Sequence, residues 1–519
     1  FFKMHYRVKR RRPMMTYERT IAASILIKFV TALSSTAPPL TDNAPSWNIL
    51  RKSILSTSTG KRLQNEADER AAGRGPPHTD ALLRLFDVND ESDVRVTFFR
   101  DSAAWCPYCQ KTWLFLEEKR IPYRVQKIPL NAYGDKPAWY TRKVDGGSLP
   151  ALELDGELYS ESFEIMKLLD ATFENKPRMF QPDGTKDADL AKNLLNLEKK
   201  LQRDWFSLVF YPVKGDALEK SRTDLMDTIL QLDQALFQTT GPWFLGGDDP
   251  SIVDLQYIVQ MERLIASALY FKGLTIRGKF KNIDRWLEAF EDRPNYIATK
   301  SDYYTHIMAI PSQNGPGYWI EDAKEVSNKI YGLDNSWKIP LNNSHEPLAP
   351  KKSSDAREAA CHEAAFQLVS NSESIVYFAC RGAGEPGRPS FHAEMADPYA
   401  EPNEDFIRAV DVCLRHVTVA LVNGIDTAAS NAQHDLAGMG GSNELRPNWY
   451  EYKDDDGRAY YWDDESGAIA WTPPSQQLDT CLMYLRDRVG VPRDMGQAAA
   501  MELRSHLNWA IDLLGLPET

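Results

Sequence analysis

The sequence predicts an α/β layer, then an all-helical domain, then a second helical region interrupted by a short β-sheet. Strand-like and helix-like runs alternate between residues 93 and 173, helical periodicity fills 186–310, and aromatic residues crowd three strand-like runs within 445–474. With 519 residues the chain can hold three or four domains, and a hydrophobic content of 43% fills ordinary cores.

Residues 1–45 start at Phe1, with Met4, Met14 and Met15 as candidate translation starts. The basic cluster Arg7 to Arg12 precedes the apolar stretch Ile21 to Leu33, which Lys28 interrupts, and small and hydroxylated residues follow. This pattern reads as a targeting peptide or a disordered tail, and it is too short and broken to span a bilayer. Residues 46–92 are polar, punctuated by Pro, Ser and Arg, and read as a linker with one short helix.

The α/β unit, 93–173, reads as strand Val94 to Phe99, helix Cys109 to Lys119, strand Tyr123 to Lys127, strand Ala151 to Leu154, an Asp155-Gly156 turn, strand Glu157 to Tyr159, and a helix from Ser160. The helical domain, 186–310, contains the periodic segments Asn193 to Val209, Thr223 to Gln238, Ser251 to Leu269 and Ile283 to Phe290. Pro, Gly and Asn make 311–354 an irregular connection. A helical extension occupies 355–444 and 475–519, around the insert at 445–474.

A net charge of -12 argues against nucleic acid as a partner, since phosphate binding needs a concentrated basic face. No stretch approaches the roughly 18 apolar residues of a membrane span. Six cysteines occur, and Cys361, Cys380, Cys413 and Cys481 are scattered singly, so they form no disulfide framework and read as buried thiols.

Cys106 and Cys109 carry the chemistry. Trp105-Cys106-Pro107-Tyr108-Cys109 follows an apolar strand and opens a helix, which sets a thiol where unpaired amides and the helix dipole favour an anion. Cys106 is thereby expected to ionise readily, and Cys109, about one turn on, could resolve a mixed disulfide on it. Such a pair serves zinc ligation, redox exchange or neither. Zinc needs two more ligands, and no second pair of Cys or His lies nearby in sequence, so no metal is assigned. Later in the chain, Ser148-Leu149-Pro150 enters a strand, where a cis X-Pro bond exposes backbone to an extended peptide.

Trp105 to Cys109, Lys136-Pro-Ala-Trp139, Leu149-Pro150 and Glu161-Ser162 together resemble the cysteine-containing glutathione transferases, with the omega, lambda and dehydroascorbate reductase classes nearest. The tetrapeptide from Cys106 to Cys109 is glutaredoxin-like. Pro242-Trp-Phe-Leu-Gly246 followed by Ser251-Ile-Val-Asp254 resembles the family's helix-capping box. The resemblance implies a thioredoxin-like α/β domain, an all-α transferase domain, and glutathione as co-substrate; a homodimer is a candidate state, and the sequence leaves the oligomeric state open. The resemblance further implies that Cys106 forms the mixed disulfide, Leu149 and Pro150 present backbone to the cysteinyl segment, Lys136 meets the glycyl carboxylate, and Glu161 and Ser162 hold the γ-glutamyl group. Taken singly, Lys136 also reads as a solvated loop charge and Ser162 as a helix cap. Cys109 departs from the omega pattern and leaves a dithiol mechanism open. Trp205, Phe206, Tyr211 and Tyr257 are candidates for the wall of a second-substrate pocket, or plain core.

Within 445–474, two turn signals separate three strand-like runs that hold Trp449, Tyr450, Tyr452, Tyr460, Tyr461, Trp462 and Trp471. The spacing resembles a WW domain, which implies that Trp449, Tyr461 and Pro474 pack together while Tyr460 and Trp471 form a groove for a proline-rich peptide. Asp463 stands where that family usually has asparagine, and the acidic loops disfavour phosphorylated ligands. An internal support for the flanking helices is the other reading of the insert.

The expected function is glutathione-dependent thiol transfer, which reduces mixed disulfides or a small oxidant such as dehydroascorbate, in the plastid or cytoplasm. The alternative is a non-catalytic transferase-like protein that recruits proline-rich partners through the insert.

Overall fold

A computed structural model describes residues 42–341, 354–388, 393–437, 449–453, 459–464, 469–470 and 478–515. The targeting-peptide reading falls almost wholly outside these residues. Asp42 and Asn43 lie within them, where Asp42 pairs with Arg415 at 2.8 Å and the Asn43 N–H donates to Asp435 at 2.7 Å.

The segment 46–92, expected to be a linker, is instead largely folded. It forms α1 (Trp47–Ser56) and α2 (Ser58–Ala71), followed by the two-residue strand β1 (Leu83–Arg84). Leu50 and Ile54, one helical turn apart, are buried in the core of the C-terminal extension, and Arg84 makes a buried ion pair with Glu117 at 2.8 Å. Trp47, Leu55 and Leu63 pack partly buried against the same core, so partners far along the chain decide this segment.

The α/β layer follows as β2 (Val96–Asp101), α3 (Pro107–Glu118), β3 (Tyr123–Ile128), α4 (Ala138–Lys143), β4 (Ala151–Leu154), β5 (Glu157–Ser160) and α5 (Ser162–Thr172). The sheet order is β1-β3-β2-β4-β5, with β2 and β3 parallel and the other pairs antiparallel. β2 is central, and Val96, Phe98 and Phe99 are fully buried, as a strand covered on both faces requires.

The all-helical domain comprises α6 (Lys186–Val209), α7 (Asp216–Phe237), α8 (Ile252–Lys272), α9 (Lys281–Glu291), α10 (Pro294–Ile297) and α11 (Tyr303–Asn314), and α12 (Lys324–Tyr331) follows. The last two correct the reading of 311–354 as wholly irregular, since α11 continues through Pro311 and α12 forms its own turns. Helix α8 is buried on nearly every side. Its N-terminus is locked by the Asp254 carboxylate, which accepts from the Ser251 N–H at 2.8 Å, the Phe244 N–H at 3.0 Å and Trp286 Nε1 at 2.9 Å.

The extension contains α13 (Ser354–Ser370), α14 (Ser372–Cys380), α15 (Ile407–Asn423) and α16 (Ile425–Leu436), then β6 (Trp449–Lys453), β7 (Ala459–Asp463) and β8 (Ile469–Ala470), then α17 (Leu478–Arg488) and α18 (Gln497–Leu514). The three strands pair antiparallel in the order β6-β7-β8. Cys380, Cys413 and Cys481 are buried free thiols, and Cys361 is partly exposed. A buried joint seats the extension on the helical domain. Arg504 pairs with Asp302 at 2.6 Å, the Val491 N–H donates to Thr305 Oγ1 at 3.1 Å, and the Tyr304 hydroxyl donates to the Asp487 carbonyl at 3.0 Å.

His506 on α18 is 3% exposed, its Nδ1 lies 2.7 Å from the Glu502 carbonyl, and burial pushes its pKa from 6.5 down to about 4. Between those values the unfolded chain binds the proton and the folded chain does not, so stability falls as the pH drops from 6.5 towards 4. This one group removes about 3 kcal/mol over the window. Urea titrations across that range should show a smaller loss, by about that amount, for His506→Gln.

Candidate active site

The Cys106 loop is built by the end of β2. Asp101 is 1% exposed, and its Oδ2 accepts from the Trp105 N–H at 2.7 Å and the Cys106 N–H at 3.1 Å. Ala104 adopts a positive φ of 53° between them, which turns the chain so that Cys106 caps α3 with Pro107 in its first turn. The two sulfurs differ in setting. Cys106 borders an open cleft, whereas Cys109 is 1% exposed within α3. Burial pushes the Cys109 thiol well above its ordinary pKa, and a hydrogen bond to Cys106 adds to the shift.

Ligand atoms of Asp101, Cys106 and Cys109 lie within 4.8 Å of one another. The trio offers three ligand groups, all buried, and no fourth His, Cys or carboxylate joins it among the described residues, short of the four that a structural zinc takes.

A cleft of about 420 Å³ opens beside Cys106, and its walls include Lys136, Leu149, Trp205, Phe206 and Arg263. Lys136 donates to the Gly147 carbonyl at 2.7 Å, and burial lowers its pKa. The Leu149-Pro150 peptide is cis. Glu161 and Ser162 lie outside the cleft lining but close to it in register: β4 and β5 pair Ala151 with Ser160, which sets Glu161-Ser162 beside Leu149-Pro150. Glu161 is exposed, with φ of 64° at the start of α5, and Ser162 is 6% exposed in its first turn. Among the aromatic candidates, Trp205 and Phe206 line the cleft. Tyr257 is core, its hydroxyl bonded to the Leu194 carbonyl at 2.6 Å, and Tyr211 is exposed outside the cleft.

Sequence reasoning missed Asp101 and Arg263. Arg263 is 2% exposed on α8, and its guanidinium donates to the Trp105 carbonyl, to Gln110 Oε1 at 2.9 Å and to the Val259 carbonyl at 2.6 Å. It also stacks on the Trp105 ring with its centre 4.8 Å from the centroid. Gln110 donates in turn to Glu262 at 3.0 Å, and Trp105 Nε1 donates to His306 Nδ1 at 3.2 Å. An arginine within an apolar helical run carries no sequence signal of the carbonyl it meets. Tyr460 and Trp471 do not join this site. β6 and β7 pair Tyr452 with Tyr460, the side chain of Tyr460 lies outside the described residues, and so does Trp471 altogether.

A family model described as "Glutathione S-transferase, N-terminal domain" matches residues 105–172. The chain is 30% identical over 199 residues to glutathione S-transferase L3 of Arabidopsis thaliana, which covers 38% of this chain and 79% of the relative. It is 26% identical over 284 residues to the chloroplastic glutathione S-transferase L2 of Arabidopsis thaliana, covering 52% of this chain and 89% of the relative. To glutathione S-transferase DHAR2 of Arabidopsis thaliana it is 24% identical over 196 residues, covering 38% of this chain and 84% of the relative.

Arg263→Leu strands the Trp105 carbonyl and Gln110 Oε1 in the core and is expected to cost about 3 kcal/mol in denaturant unfolding. Arg263→Lys, which keeps the charge but loses the planar fork, recovers only part of that loss.

Proposed function

The chain belongs to the glutathione S-transferase family, and from that premise we propose that it is a glutathione-dependent thiol transferase in which Cys106 is the reacting sulfur and glutathione the co-substrate. The observation that carries this reading is the placement of Cys106 at the start of α3, facing a cleft that Lys136 and Leu149 also line.

In the first step the Cys106 thiolate attacks the glutathionyl sulfur of a mixed disulfide. A Cys106–glutathione disulfide forms and the substrate leaves as its thiolate, which takes up a proton. A second glutathione thiolate then attacks the glutathionyl sulfur of that intermediate, so that glutathione disulfide leaves and Cys106 returns as thiolate. Lys136 offers its ammonium to the glycyl carboxylate. The Leu149 main-chain N–H and C=O, which have no hydrogen-bond partner among the described residues, pair with the cysteinyl segment. Glu161 and Ser162, at the α5 N-terminus, hold the γ-glutamyl amine and carboxylate. Trp205 and Phe206 offer an apolar wall to the second substrate, a mixed disulfide or dehydroascorbate.

Cys109 takes no part in this cycle. A thiol so deeply buried and held protonated is a poor attacking group, and the two steps above close without it. A plastid or the cytoplasm, both reducing, suits the chemistry, and one relative is named as chloroplastic.

The insert supports a second, separate activity, recognition of proline-rich peptides by a WW-like module. Supporting it, β6 and β7 pair Tyr450 with Trp462, and both rings are exposed, at 51% and 37%. Tyr460 and Trp471 form the groove in this reading.

Cys106→Ser should reduce glutathione-dependent turnover of a mixed-disulfide substrate by about 10³-fold, while Cys109→Ser stays within roughly threefold of wild type. A glutathione adduct that wild type releases but Cys109→Ser retains after the same exposure to glutathione disulfide, seen by intact mass, would sink the one-cysteine cycle. Lys136→Ala should raise the KM for glutathione about tenfold with little change in kcat. For the insert, titration with proline-rich peptides is expected to shift tryptophan fluorescence, and the shift should vanish in Trp471→Ala. A flat response to every peptide leaves the insert as an internal support.

A further inference from the structure

The extension contains a second cavity, of about 440 Å³, that shares no residue with the Cys106 cleft. Its apolar lining includes Leu368, Ile375, Phe378, Met395, Leu485 and Leu503. It also carries three guanidinium groups, from Arg381, Arg488 and Arg493, and three carboxylates, from Asp80, Asp397 and Asp494. Arg493 is paired with Asp494 at 2.8 Å, and Asp80 with Lys127 at 3.1 Å. Asp397 accepts from the Gly387 N–H at 3.4 Å.

Arg488 is the exception. It is 8% exposed, its Nε has no hydrogen-bond partner, and no carboxylate pairs with it among the described residues. Its guanidinium rests on the Tyr484 ring, 3.6 Å from the centroid, with only a long 3.5 Å contact to the Tyr484 carbonyl. Among the described residues Arg381 has no carboxylate partner either, and it donates to the Asp397 carbonyl at 3.3 Å. A guanidinium cannot shed its proton to escape the cost of burial, so a charge held in this way calls for an anion.

We propose that this cavity binds a small organic monoanion with an apolar body, of the class of medium-chain carboxylates. The carboxylate takes the vacant donor of Arg488 in a charge-assisted hydrogen bond and lies within the field of Arg381, while the chain lies against Leu368, Ile375 and Leu503. The volume falls in the ordinary range for small-molecule sites, and a row of aliphatic side chains selects a tail over a bare inorganic ion.

The test is isothermal titration of the full chain with octanoate, using octanol as the uncharged control. Octanoate is expected to bind one per chain, and Arg488→Gln to weaken it by about tenfold or more while leaving octanol unchanged. Ile375→Trp, which fills the cavity from its edge and leaves every charge in place, should also abolish octanoate binding, and it decides the matter if Arg488→Gln does not fold. Equal octanoate affinity in wild type and the folded variants would place the ligand elsewhere, the Cys106 cleft included, and overturn the proposal. Absence of heat at about 1 mM octanoate in the wild type would also overturn it.

Discussion

Helix α8 takes a row of polar side chains into the core, and residues of the α/β layer and the neighbouring helices meet several of them. Asp254 gathers Ser251, Phe244 and Trp286 at the helix start. Gln256 receives Lys111 at 2.6 Å from the α/β layer, and Ser267 receives Trp205 Nε1 at 2.8 Å. Glu262 and Arg263 reach Gln110 and Trp105 across the same boundary. An unpaired polar group at such depth costs more than a typical hydrogen bond contributes, so the partners hold the two layers in one relation. The Cys106 loop is placed by this requirement, caught between Asp101 on one side and Arg263 on the other.

The same loop separates two cysteines that look equivalent in sequence. A cleft meets Cys106, whereas helix packing closes over Cys109 and raises its pKa. Reactivity follows access, and of the two only Cys106 borders the cleft, at 6% exposed against 1% for Cys109. The Lys111 ammonium shows a related effect, since burial lowers its pKa to about 8. Desolvation is the first cause of the shifts at Cys109, Lys111 and Lys136 alike.

The extension joins the core through buried polar contacts at Asp302, Thr305 and Tyr304, and its own core recruits α1 and α2 from the opposite end of the chain. Residues that look like a linker are thus part of a bundle closed by sequence-distant contacts. The chain segment from Val489 to Met495 serves both as part of this joint and as part of the wall of the arginine-lined cavity.

Local pattern alone determined the alternation in 93–173, the helices of 186–310, the thiol at a helix start and the strands of the insert, because those features rest on periodicity, capping and turn residues within a few positions of one another. The edges of β4 were legible for the same reason. Tertiary structure decided what depends on partners far apart in the chain: the folding of 46–92, the burial of Cys109, and the anchoring of Trp105 by Arg263. It also decided that Trp205 and Phe206 line a cleft while Tyr257 is core. Whether a side chain is solvated, buried or paired is set by the residues that meet it across the fold, and no spacing along one sequence encodes that meeting.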